Sequence, residues 1–251
     1  MQKKLNVVAG TGLSGNGKST ILDLVAVILD ANRPDGRIMR AEMSSVIKYG
    51  LGLHSKLGES VRKHQKLMEN GGFLPDDVAI PLLGTWLNHA TSVNQNLQTL
   101  LFGGLPRTTR QKGVMRNYFE AAVIVDQKIK PEVALKSVLE RAQKSTVQRT
   151  DDLGGEAVFA LRKSEFLEHT LPMLHSCNGE RVLLHRDEHP CHRLEKVFSH
   201  IRGMKYPVLA HSLTKRALNR LRSGDTHPIH REILNVLTGK GITPGAVAYQ
   251  A

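Results

Sequence analysis

An open, three-layer α/β fold is the class this sequence predicts, a parallel sheet covered by helices on both faces. Three observations predict it. Short apolar runs, several rich in valine, recur along the first 202 residues. Between them, apolar residues repeat at helical spacing. The first apolar run also passes directly into the glycine-rich stretch AGTGLSGNGKST, which a helical pattern follows, the order a strand–turn–helix unit requires.

The elements follow in chain order. Residues 5–9 read as a buried strand bounded by glycines. From Ser19 on, Ile21, Leu22, Val25, Ile28 and Leu29 mark one apolar helix face, which Asn32, Arg33 and Pro34 end. Further strands are expected at residues 37–41, 99–102, 121–125 and 181–185, with helices between them. Residues 44–90 form a helical insertion, 143–148 a short polar bridge, and helical spacing resumes over 158–171. Past Gly203 the pattern changes to two short amphipathic helices, at 212–223 and 229–238, closed by Gly224 and Gly239. The chain therefore divides into a main domain, 1–202, and a basic helical extension, 203–251.

Composition narrows the function classes. A chain of 251 residues with 40% hydrophobic residues can build one substantial core. No apolar run approaches the ~20 residues of a membrane-spanning helix, so a cytoplasmic protein without membrane contact is expected. Cys177 and Cys191 are the only cysteines, too few for a disulfide framework. The formal charge of +12 favours polyanions or phosphate-bearing small molecules, and charge alone does not choose between them.

The glycine-rich stretch does choose. Gly12, Gly17, Lys18 and Ser19 have the spacing of a phosphate-binding loop, with Ser14, Gly15 and Asn16 between. Glycines let successive backbone N–H groups curl around phosphate oxygens, the helix N-terminus adds partial positive charge, and Lys18 reaches the outer phosphates. Ser19 is placed to ligate magnesium, with Thr20 beside it. ATP and Mg2+ are the expected cofactors.

Three further stretches carry a resemblance. MENGGFLPDDVAIPLL, FGGLPRTTRQ and QRTDD…LRKSEFLEHTLPML, with the loop above, fall in order across residues 5–202, and together the chain resembles the adenylate kinase family of nucleoside monophosphate kinases. The resemblance implies a core that holds ATP, an inserted domain (44–90) that binds AMP or another monophosphate, and a lid (141–150) of the short type, acting as a monomer. Direct transfer of the γ-phosphoryl group from ATP to AMP, giving two ADP, is the implied reaction. Arg107 falls where the family clamps the acceptor's phosphate, and Gly104 adjoins it in the same motif. Gln111 falls where the family reads adenine, and Lys48 takes the place of a second phosphate-binding arginine. Arg141, Arg149 and Arg162 match the arginines that converge on the transferring phosphoryl group, while Asp151 and Asp152 match the acidic pair after the lid or simply cap the next helix.

The chain departs from that pattern at Gly103, where the family has the aspartate that orders magnesium's water shell. Either Asp126, Asp151 or Asp152 compensates, or the enzyme is slow, or it has kept binding and lost catalysis. The arginine that stacks on ATP's adenine falls at Ser137. These departures motivate an alternative, a catalytically weak, kinase-derived nucleotide-binding protein that engages nucleic acid or a protein through the extension. There Lys205, Lys215, Arg216, Arg220, Arg222, Arg231 and Lys240 face only Asp225 and Glu232. His185, His189, Cys191 and His192 have zinc-compatible chemistry but no standard ligand spacing.

Overall fold

The computed structural model describes residues 4–30, 38–144, 154–188, 190–203 and 248–249. Six strands form one sheet in the order β5-β4-β1-β3-β2-β6, and every pairing is parallel. They are β1 (Leu5–Thr11), β2 (Ile38–Glu42), β3 (Thr99–Gly103), β4 (Phe119–Lys128), β5 (Arg181–His185) and β6 (Ala248–Tyr249), a two-residue edge piece beside Met39 and Arg40. Helix α1 (Lys18–Asp30) follows β1. Four helices occupy the stretch between β2 and β3: α2 (Met43–Leu51), α3 (Lys56–Lys63), α4 (Gln65–Glu69) and α5 (Asp76–Val93). Then come α6 (Thr109–Tyr118), α7 (Pro131–Lys144), α8 (Gly155–Glu165), a π-helical turn (Phe166–Thr170), α9 (Leu171–His175) and α10 (Pro190–Gly203).

The three layers follow from the two-residue period of the strands. Val8, Leu101, Val123 and Val125 point to one face, where α1 and α10 cover them with Leu22, Val25, Leu194 and Phe198. Their neighbours Val7, Ala9, Leu100 and Phe102 point to the other, beneath α2, α5 and α6, with Val46, Leu82, Trp86 and Met115. Because both faces are buried, the middle runs of these strands, residues 7–9, 100–102 and 121–125, are apolar at consecutive positions rather than alternating. The predicted α/β class and layering are those of the structure.

Boundaries differ in informative ways. β2 runs one residue past the expected end and so includes Glu42, and β4 extends through Asp126, Gln127 and Lys128. Asp126 and Gln127 stay in the ladder there because each finds a partner: Asp126 accepts from Arg181, and Gln127 from Arg193. The helix expected over 158–171 is interrupted by the π-helical turn. Pro172 has no N–H to return to the carbonyl of Glu168, and the N–H of Leu171 instead reaches the carbonyl of Phe166, five residues back. No helix among the described residues is long and apolar enough to cross a membrane. The helices expected at 212–223 and 229–238, and most of the lid (145–150), lie outside the described residues.

This topology positions a site. β1 is central, flanked by β3 on one side and β4 on the other. The chain leaves β1 toward the β2–β3 side, then crosses from β3 to β4. Ligands of open parallel sheets bind beyond the carboxyl ends of the strands at such a switch point. The glycine loop emerges there.

Candidate functional site

Residues 11–17 turn from β1 into α1 through three positions that need glycine's conformational freedom: Gly12 at φ 123°, Gly15 at 81° and Gly17 at 85°. Asn16 fixes the loop from beneath. It is fully buried; its Nδ2 donates to the carbonyls of Thr11 (3.3 Å) and Gln127 (3.1 Å), and its Oδ1 accepts from the Lys18 backbone N–H (3.1 Å). Thr11 Oγ1 donates to the Pro106 carbonyl (2.7 Å), tying the loop to the segment after β3. Helix α1 has no acidic residue in its first turn, so no carboxylate of its own offsets the positive end of its dipole there.

The loop forms one wall of a cleft of about 800 Å³, near the upper end of the roughly 300–1,000 Å³ common for ligand sites. Gly12, Ser14, Gly15, Gly17, Lys18, Ser19 and Thr20 line it, whereas Asn16 holds the loop's shape from inside the protein. Lys48, Gly104, Arg107 and Gln111 line the same cleft, as do Arg141 from α7 and Arg162 from α8. Arg149, Asp151 and Asp152 lie outside the described residues. Among the described residues, five cations thus meet two carboxylates on the walls, Asp23 and Glu42, a balance suited to polyphosphate.

Arg107 and Gln111 are held by contacts from several elements. Arg107 Nε donates to the Gly104 carbonyl (2.9 Å), and its guanidinium lies over the Phe73 ring, 3.9 Å from the centroid, a cation–π geometry. Gln111 sits in the first turn of α6 and is buried. Its Nε2 donates to Asp76 Oδ1 (2.7 Å) and its Oε1 accepts from the Arg107 backbone N–H (2.8 Å). A carboxylate needs a donor and an amide N–H needs an acceptor, so these partners fix which way the side-chain amide faces. These two bonds use one of the amide's two N–H groups and one of its oxygen's two lone pairs. Lys48 is exposed on α2, whose other face buries Met43, Val46 and Gly50.

Under the loop lies an ionic chain absent from the sequence expectations. Arg40, buried in β2, donates from Nε to Asp23 on α1 (2.8 Å) and from a terminal nitrogen to Glu42. Glu42 Oε1 in turn accepts from Ser19 Oγ (2.8 Å). Burial works against charge on Glu42, but Arg40 and Lys18 outweigh it and hold the carboxyl below the usual carboxylate range. Burial likewise opposes the Arg40 charge, and Glu42 and Asp23 overcome it, raising its pKa. Asp126, an expected stand-in for the missing aspartate, is instead committed to Arg181 (3.1 Å from Nε) and is not on the cleft wall. Ser137 bonds to the Val133 carbonyl on its own helix.

Glu42, Asp76 and Phe73 are thus the site residues that sequence reasoning missed. Glu42 had a usable signal, since it ends a parallel strand on the side where ligands bind. Asp76 and Phe73 lie within a quoted motif, but nothing local marks them as partners of Gln111 and Arg107. Among the described residues no group of three or more His, Cys, Asp or Glu is placed to hold a metal. Magnesium does not require one, because it keeps several waters and binds through one or two protein oxygens together with substrate phosphates. Ser19 and Glu42 offer such hard oxygens beside the glycine loop.

No protein-family model matches the chain, and no curated protein matches it. Solved structures do match, among them an unliganded sugar kinase from Janibacter sp. HTCC2649. It is 17% identical with a TM-score of 0.47, over 80% of this chain and 95% of that one. A likeness of that size leaves cofactor and acceptor to be argued from the site itself.

Proposed function

We propose that the protein is a phosphotransferase, and specifically a nucleoside monophosphate kinase that moves the γ-phosphoryl group of ATP directly to AMP. The observation that carries this reading is a single cleft walled by a phosphate-binding loop and by Lys48, Arg107 and Gln111, with Arg141 and Arg162 on the same walls. A phosphate oxygen of AMP attacks the γ-phosphorus, the bond to the β,γ-bridging oxygen breaks, and two ADP result. AMP's phosphate is itself the nucleophile, so no side chain has to be acylated, phosphorylated or deprotonated. Positioning and charge neutralisation do the chemistry.

Roles follow from place. The loop amides and Lys18 hold the phosphates of ATP, Arg107 and Lys48 hold the acceptor's phosphate, and Arg141 and Arg162 stabilise charge on the moving group. Arg149, Asp151 and Asp152 keep the roles the family resemblance implies. Ser19 would hold magnesium beside Glu42, and the metal when bound would neutralise charge on the β- and γ-phosphates. Arginines of this kind are worth about 10³ to 10⁵ in rate.

Gln111 supports adenine as the acceptor base. The N–H and lone pair left after its bonds to Asp76 and Arg107 match the acceptor-plus-donor edge that adenine presents, whereas guanine presents two acceptors at its N7/O6 edge. A coupled assay of ADP formation across AMP, CMP, UMP and GMP tests the reading. AMP is expected to be the best acceptor, and no turnover with any of the four would remove the enzymatic claim. The alternative of a binding protein without turnover draws on Gly103 and on Lys48, and the carboxylate of Glu42 weakens only the first of these grounds.

A further inference from the structure

Gly103 ends β3 in register with Glu42, which ends β2. Residues paired across parallel strands project to the same face, with the strands only about 4.8 Å apart. A Cβ built on Gly103 would collide with the Glu42 carboxylate group itself. Backbone conformation does not require glycine here, since Gly103 is not among the positive-φ glycines. Space does. The carboxylate filling that space accepts from Ser19 Oγ and is anchored from behind by Arg40, which Asp23 holds in turn.

We propose that Glu42 supplies from β2 the carboxylate that orders the water shell of nucleotide-bound magnesium, and that Gly103 is glycine because this carboxylate occupies its side-chain space. The proposal rests on the reading of the cleft as an ATP–magnesium site. Glu42 is a positioning residue, acting through the metal's waters. One consequence runs against the simple idea of restoring an aspartate at 103. Glu42 and an aspartate at 103 would be crowded within one small volume, and like charges so close cannot both stay ionised without one being displaced or protonated. Gly103→Asp alone therefore damages the site, whereas moving the carboxylate between strands, as Glu42→Gly with Gly103→Asp, restores it.

Calorimetric titration with ATP, in magnesium and in EDTA, tests this on the full chain, with a thermal melt for each variant. The wild type is expected to bind ATP at least tenfold more tightly with magnesium than without. Glu42→Gln and Gly103→Asp are each expected to shrink that ratio severalfold, and the double exchange to recover most of it. Gly103→Ala leaves Glu42 and its Arg40 partner chemically intact, so it reads the same point if Glu42→Gln fails to fold, and it should shrink the ratio too. If Glu42→Gln or Gly103→Ala keeps the wild-type ratio, or if Gly103→Asp alone raises it, the proposal falls while the ATP site stands. A wild type that binds no ATP under either condition overturns both.

Discussion

The two ends of the cleft are built in different ways. At the proposed phosphate end, one contiguous stretch, residues 12–19, supplies the backbone amides that would grip, and Asn16 braces the loop from inside. At the acceptor end, side chains from separate elements do it: Arg107 leans on Phe73, and Gln111 is aimed by Asp76, 35 residues earlier in the chain. Backbone recognition is insensitive to the base and suits a donor always held by its phosphates. Side-chain recognition can be retuned one residue at a time, which suits the end that chooses the acceptor. Substitutions at the first end should therefore abolish binding or rate for every acceptor, and those at the second should redistribute preference among acceptors.

The largest effect is expected at Lys18. Lys18→Ala should lower kcat/KM by about 10³-fold, roughly 4 kcal/mol of transition-state stabilisation, equally for all four monophosphates. Steady-state kinetics across the acceptor panel checks this, and a loss confined to AMP would break the contrast. Next comes the ionic chain beneath the loop. Arg40→Met leaves the carboxylates of Asp23 and Glu42 without their shared cation and should cost about 3 kcal/mol in urea unfolding, the scale seen when one partner of a buried pair is removed.

The same chain makes a pH prediction. Glu42 titrates lower in the folded protein than in the unfolded chain, so the unfolded state binds the proton more readily as pH falls. Its contribution to stability is complete above the ordinary carboxylate pKa of about 4 and is lost as pH drops through the depressed folded value. Urea midpoints measured from just above the ordinary carboxylate range downward into acid should decline over that window, and Glu42→Gln should flatten the decline.

Smaller effects belong to the acceptor end. Gln111→Leu should reduce the preference for AMP over GMP by about 10- to 100-fold, the worth of one good base contact, while leaving ATP affinity unchanged. Phe73→Leu should weaken AMP binding by about two- to fivefold through loss of the cation–π support of Arg107, a contact of roughly 0.5–1 kcal/mol. If Gln111→Leu slows all acceptors alike, the division between the two ends is wrong.

That same division explains what the sequence could disclose. The glycine loop was legible because its geometry is local: spacing, flanking strand and following helix all lie within residues 5–30. The sheet was legible for a similar reason, since strands buried on both faces keep apolar residues at consecutive positions along their middles. Arg107 and Gln111 came through a motif, but what orients them did not, because Phe73 and Asp76 approach only after α5 and α6 pack together. Glu42 was hidden for a different reason. Its importance depends on the register of β2 against β3, which places it beside Gly103, and register is a property of the folded sheet. Gly103 looked like a loss when read alone and looks like an accommodation when read with its neighbour.

The claim beneath all of this is that one cleft takes two nucleotides joined through their phosphates. Calorimetry with two adenosines linked by five phosphates measures it most directly, with magnesium present. The account predicts one molecule bound per chain, far more tightly than ATP alone, with Lys18→Ala and Arg107→Ala each weakening it. Binding no tighter than that of ATP, or indifferent to Arg107, would contradict it.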